Sequence, residues 1–233
     1  MYLLAAIAYG ISIFIDVAAY HLKFHVHDIK NLRYLFSLIN VFQFSARAFV
    51  LIFIPMMAHY TETVKDMDLV WLITLYSHIF VILLLIPLLF KKFSNKFSIK
   101  TILLLNRVLG KNKKIYLTKN LKRDNSEDMP KGSLMSKMLF SSSIFVSGFF
   151  FSVGITFIYY LSFWFPDKSL TLVSYSQIIN MVGSLLLILF IDPKIMSSID
   201  IGEGQREINI LTRNRIFVHI TLIMLLFILI WWQ

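Results

Sequence analysis

Apolar residues gather into six long stretches separated by polar, mostly basic connections. The stretches run approximately over residues 2–21, 34–58, 69–90, 138–164, 169–191 and 214–232. Each is near or above the length of about 20 residues that a helix needs to cross a bilayer. The pattern predicts an all-α fold: a polytopic transmembrane helix bundle of six spans. Two stretches carry polar residues at helical spacing. Ser37, Asn40 and Gln43 recur in the second, followed by Arg47, and Ser174, Gln177 and Asn180 recur in the fifth, followed by Ser184. Steps of three and four place each set on one helix face. In lipid such a stripe must face protein or water. Spans two and five are therefore expected to face each other or a common cavity.

The two stripes superpose at an offset of 137 residues, which also lays Phe53-Ile54 on Phe190-Ile191. The offset fails for spans three and six by several residues. Three spans precede the long central connection and three follow it. An odd-numbered unit duplicated in tandem inserts upside down the second time, as in inverted-repeat transporters. The expected organisation is a three-helix unit over 1–90, a basic cytoplasmic loop over 91–137 and a second three-helix unit over 138–233, with two inverted repeats as the symmetry it suggests.

Composition sharpens this picture. Of 233 residues, 58% are hydrophobic and 15% charged, against about 25% charged in a soluble domain. The absence of cysteine excludes disulfides and thiolate metal sites. The net charge of +10 sits in connections next to spans, with no nucleic-acid module, so anionic lipid at the cytoplasmic face is the expected partner and nucleic acid is not. Residues 91–137 hold thirteen Lys and Arg. The first connection holds Lys23, Lys30 and Arg33, and the fifth holds Lys194, Arg206, Arg213 and Arg215. The second and fourth hold Lys65 and Lys168 alone. Positive-inside reasoning puts both termini outside the cytoplasm, and Trp71, Trp164, Trp231 and Trp232 fall at outer ends. The start, Met1-Tyr2-Leu3-Leu4, lacks the basic region of a cleaved signal peptide, so a retained first span is expected. Phe97–Leu109 reads as a basic interfacial helix, and residues 118–136 as a flexible surface segment. Ser143, Ser147, Gly148, Ser152 and Gly154 permit close packing by span four.

Candidate chemistry lies in the ionisable residues within the spans: Asp16, Arg47, His78 and His219. Counting up each helix at 1.5 Å per residue places Arg47 about 20 Å from the cytoplasmic end, near mid-depth. His78 falls near mid-depth too, with Asp16 and His219 closer to the cytoplasm. Asp16 is then about 10 Å below Arg47. Two readings stay open: an Arg47–Asp16 bridge locking spans one and two, or an anion site in which Arg47 holds a phosphate or pyrophosphate. In the second, Asn40, Gln43, Gln177 and Asn180 supply uncharged contacts. His78 is a packing residue or a candidate for proton or anion coupling. His21, His25 and His27 have helical spacing but no thiolate and no second cluster, and no metal site or cofactor is expected. No Gly-rich phosphate loop, metalloprotease helix or partnered serine is present.

Ser37-Leu38-x-Asn40, then Arg47, then Pro55, resembles the second span of the Amj family of lipid II flippases. Ala18-Ala19-Tyr20 with the basic loop resembles its first connection. Asp192-Pro193, then Asp200 and a charged stretch before a last apolar span, resembles its C-terminal third. His25-Val26-His27-Asp28 stands where a Gly-Val-Arg-Thr-like sequence is expected, and Ala48, Phe49 and Val50 replace polar residues after the arginine. The resemblance implies a bacterial inner-membrane protein that moves an undecaprenyl-pyrophosphate-linked peptidoglycan precursor between leaflets, a transporter rather than an enzyme. Arg47 would take the headgroup anion, Asp16 would hold Arg47 or exchange with the substrate, and Asn40, Gln43, Gln177 and Asn180 would line the path. The alternatives are a transporter of another anionic or lipid-linked substrate, a non-catalytic membrane subunit of a lipid or cell-wall assembly, and a lipid-phosphate enzyme marked by a carboxylate or histidine pair at the cavity. Association into homo-oligomers is left open.

Overall fold

The structure is a computed structural model that describes residues 2–26, 32–109, 134–201 and 204–231. The segment read as flexible, 118–136, lies mostly outside the described residues. Eight α-helices occur among those described: α1 Tyr2–Phe24, α2 Leu32–His59, α3 Met67–Leu85, α4 Lys91–Leu109, α5 Leu134–Trp164, α6 Ser169–Leu186, α7 Asp192–Asp200 and α8 Gly204–Trp231. Six helical runs are long and apolar enough to cross a membrane. They match the six expected spans, and the fold is an all-α transmembrane bundle.

Packing puts α1 at the centre of the bundle. Ala5, Ala6, Tyr9, Ile13, Val17, Ala18, Ala19 and Leu22 are buried around its circumference, and α2, α3, α4 and α8 all pack on it. A helix apolar and small on every side is suited to the middle of a bundle. Gly10 lets α3 approach, since a Cβ there would stand 2.9 Å from the Phe80 Cβ. By contrast α2 leans mainly on α1, and its Val41, Phe44, Leu51 and Ile52 are exposed. It is an outer arm whose apolar face meets lipid.

The second half is arranged likewise: α5 packs along α6 and α8, and α6 is its outer arm. Small residues set the spacing. The Ser147 hydroxyl donates to the Gly183 carbonyl at 2.7 Å. A Cβ at Gly183 would lie 2.8 Å from the Phe151 nitrogen and the Ser147 oxygen, and one at Gly154 would lie 2.9 Å from the Ser176 oxygen. These obstacles are backbone atoms and cannot swing aside. Gly183→Ala is therefore expected to push α6 off α5 and cost about 1–3 kcal/mol of stability, read as a lower unfolding midpoint in detergent.

Two segments differ from the sequence reading. The fifth connection, taken as loop over 192–213, is helical: α6 continues through a π-helical turn at Leu187–Ile191 into α7, and α8 begins at Gly204. Ile195, Ile199, Ile208 and Leu211 recur at helical steps and are buried with Tyr20, Phe140, Ile144 and Ile191. That apolar face outweighs the charges beside it. The helix expected over Phe97–Leu109 starts earlier, at Lys91. Its Ser94, Ser98, Ile102 and Asn106 face the bundle, while Leu103, Leu104, Val108 and Leu109 are exposed. Its inner face is pinned by Ser94 to His21 Nδ1 at 2.7 Å and by Tyr34 to Asn106 at 2.7 Å.

Candidate functional site

A cavity of about 740 Å³ opens between the two outer arms. Asn40, Gln43 and Arg47 reach it from α2, Gln177 and Asn180 from α6, and Asp16 from α1. The structure thus brings all six polar residues singled out in the sequence to one cavity. Ser184, the counterpart of Arg47 at the 137-residue offset, lines it as well. Arg47, Asn40 and Gln177 are exposed within it, and Gln43, Asn180 and Asp16 are half-buried. The Asn180 Oδ1 is buried without a hydrogen-bond partner among the described residues.

The arms α2 and α6 face each other across this space and barely touch. Lining residues Phe44, Leu51 and Ile188 are 71%, 72% and 56% exposed. A cavity that holds polar side chains between lips of exposed aromatic and aliphatic ones, in helices apolar enough to cross a membrane, has the form of a lateral opening toward lipid.

The register between helices corrects the depths expected for the charges. Lys23 Nζ meets Gln43 Oε1 at 3.2 Å, and the Tyr9 and Phe53 rings lie 5.1 Å apart. These two contacts between antiparallel helices bring Asp16 level with Arg47, where the helix count had left a gap and no acid at the arginine's depth. Counting along separate helices assumed that both enter the membrane at the same distance from their charged ends, and they do not.

A second arginine also occupies that level. Arg215 was counted with the fifth connection, but it lies within α8, is 8% exposed and lines the cavity. Contacts on either side of it fix its height, since His21 Nε2 meets Thr212 Oγ1 at 3.0 Å and the Tyr9 ring lies 6.1 Å from that of His219. Gly148 makes room for the guanidinium, and a Cβ there would stand 2.7 Å from Nη1. Gly148→Ala is expected to displace the end of this flexible side chain rather than the helices, lowering activity while leaving the unfolding free energy within about 1 kcal/mol of wild type. The sequence held a signal: Leu211, Arg215, Val218 and Leu222 continue the buried face of α8.

Asp16 lies in the field of three cations, Arg215 foremost, then Arg47 and Lys23, and Asp192 adds a second negative charge. Among the described residues no salt bridge closes between Asp16 and either arginine. Asp192 also lines the cavity, and Tyr20 donates to its carboxylate. Two arginines and two aspartates thus balance on the wall, with Lys23 adjoining it at Gln43. Neither arginine is spent on a fixed bridge, so both can turn to an incoming anion.

His78 is not part of this wall. It is buried between α3 and α8, with its Nδ1 2.9 Å from that of His219. The two histidines share one depth, where the helix count had separated them. His21 uses both ring nitrogens, toward Ser94 and Thr212. His27 lies outside the described residues.

A family model described as "Amj: Alternate to MurJ" matches residues 10–225. No curated protein and no solved structure matches the chain.

Proposed function

The chain belongs to the Amj family, and on that footing we propose that it is a flippase for an undecaprenyl-pyrophosphate-linked peptidoglycan precursor, lipid II, in the bacterial inner membrane. The observation that carries this reading is the convergence of the polar stripes of α2 and α6 on one cavity with apolar, lipid-facing lips. A pyrophosphate must be desolvated to cross hydrocarbon, and charge-assisted hydrogen bonds from Arg47 and Arg215 offset part of that cost. Asn40, Gln43, Gln177 and Asn180 offer donors and acceptors to sugar hydroxyls. The polyprenyl tail stays in the bilayer, passing out between Phe44 and Ile188. Asp16 is the resident counter-ion that the headgroup displaces. Asn40 with Gln177, Gln43 with Asn180 and Arg47 with Ser184 are the pairs an inverted repeat would bring together, and we read the two halves as such a repeat, with both termini outside the cytoplasm.

The test is leaflet accessibility of a labelled lipid-linked precursor in vesicles containing the purified protein. Movement above that of protein-free vesicles is expected. Arg47→Ala should slow it about 10- to 100-fold, the loss of one or two hydrogen bonds to a charged group. Because Arg47 is exposed, its fold and abundance should not change. Equal movement in wild-type and empty vesicles would remove the proposal. A variant lost before it reaches the membrane would instead favour an assembly subunit.

A second reading rests on the two carboxylates, Asp16 and Asp192, at the same cavity, the mark expected of a lipid-phosphate enzyme. It predicts hydrolysis of the precursor's pyrophosphate in the same vesicles to a polyprenyl phosphate and a water-soluble sugar phosphate, and Asp16→Asn should abolish that cleavage. A flippase leaves the precursor intact.

A further inference from the structure

The seam between α3 and α8 holds a group that the transport reading does not use. His78 and His219 are fully buried, their Nδ1 atoms are 2.9 Å apart, and neither Nε2 has a hydrogen-bond partner among the described residues. At that separation one Nδ1 carries the hydrogen and the other offers its lone pair. Two neutral rings then leave one Nε2 with an unused N–H and the other with a bare lone pair. The bare Nε2 can accept one proton without disturbing the contact. A second added proton would set two N–H groups against each other, so the closed seam holds one added charge at most.

The surroundings are nearly free of charge. From α1, the Tyr9 ring meets both imidazoles edge-on at 5.9 and 6.1 Å. From α5, Phe157 stacks on His78 at 6.0 Å. On α8 itself Arg215 precedes His219 by one turn, and its charge acts on His219. Asp16, farther along α1, is level with Arg215 rather than with the pair. Arg215 therefore lines the cavity and stands one turn from His219 on α8. Its charge opposes a proton at His219. An anion bound to Arg215 relieves the share of that opposition that Arg215 supplies, and reciprocity requires that the proton then strengthen anion binding by the same factor.

We propose that the His78–His219 pair takes up one proton when a pyrophosphate-bearing ligand occupies the cavity, so that the headgroup and a proton are carried together. The proton comes from water and forms an N–H bond at the bare Nε2. This rests on the reading of Arg47 and Arg215 as an anion site.

Titration calorimetry of the purified protein with farnesyl pyrophosphate, at one pH in buffers of different ionisation heat, counts protons taken up per ligand bound. The comparison is with His78→Asn/His219→Asn, which keeps an amide near each Nδ1 but removes both titratable rings. Wild type is expected to take up as much as one proton more than the double variant, while both bind the probe. Protons absorbed by Asp16 or by the probe's own phosphates appear in both and subtract out. Equal uptake would overturn the coupling and leave the anion site standing. No binding by folded wild-type protein would overturn both. Should the double variant fail to fold, nitrogen NMR of labelled histidines in the wild type gives the same answer. An Nε2 resonance moving from lone-pair to N–H character on adding the probe supports the proposal, and unmoved resonances refute it.

Discussion

Alanine in place of Arg215 is expected to reduce movement of the lipid-linked precursor to that of protein-free vesicles and to lower stability as well. Arg215 is buried against Gly148, level with Asp16, and exerts the strongest field on that carboxylate. No salt bridge joins the two, so the loss falls below the about 3–5 kcal/mol that breaking a buried ion pair costs. Asp16 is half-buried and keeps Arg47 and Lys23 nearby, so a loss of about 1–2 kcal/mol is expected. Thermal unfolding in detergent reads this loss, and vesicle assays read the other. Asp16→Asn combined with Arg215→Ala removes both charges. It should recover most of the stability and none of the movement. If Arg215→Ala alone moved substrate at the wild-type rate, the anion site would rest on Arg47 alone.

The second large effect concerns the gap between the arms. The chain contains no cysteine, so a pair introduced at Phe44 and Ile188, on opposite lips of the cavity, is the sole site for a thiol-reactive cross-linker. Bridging these positions should stop movement almost completely, because the tail can no longer enter or leave with its headgroup. Either single cysteine treated in the same way should leave movement within about twofold of wild type, since neither side chain contacts more than the lipid edge of the cavity. A linker containing a disulfide makes the block reversible by reductant. Persistent movement in the bridged protein would mean that the substrate does not pass between α2 and α6.

The spans and the cavity wall could be read from the sequence because both follow from short-range rules. An apolar run long enough to cross lipid is a helix, and polar residues at steps of three and four within it share a face that cannot meet acyl chains. Asn40, Gln43, Arg47, Gln177 and Asn180 were found on that basis. Other features depend on how one helix slides against another, which no local pattern encodes. Asp16 came level with Arg47 through the Lys23–Gln43 and Tyr9–Phe53 contacts. Arg215 was hidden by its neighbours: Arg206, Glu207 and Arg213 make the start of α8 look like a loop, although Ile208 and Leu211 bury the opposite face. The pairing of His78 with His219 spans 141 residues and needed the seam between the two halves before it could be seen.

The π-helical turn at Leu187–Ile191 adds a mechanical property to the second arm. Such a turn accommodates one residue more than an α-helical turn. Below it α7 is held in place, because Tyr20 on the central helix grips Asp192. Above it α6 carries Gln177 and Asn180. Regularising the turn into α-helix would rotate everything above it by about 100°, the angle between successive residues, while everything below stayed put. The two amides would leave the cavity and lipid-facing side chains would replace them. A single slip of the hydrogen-bond register would thus exchange a polar wall for an apolar one without unfolding a helix.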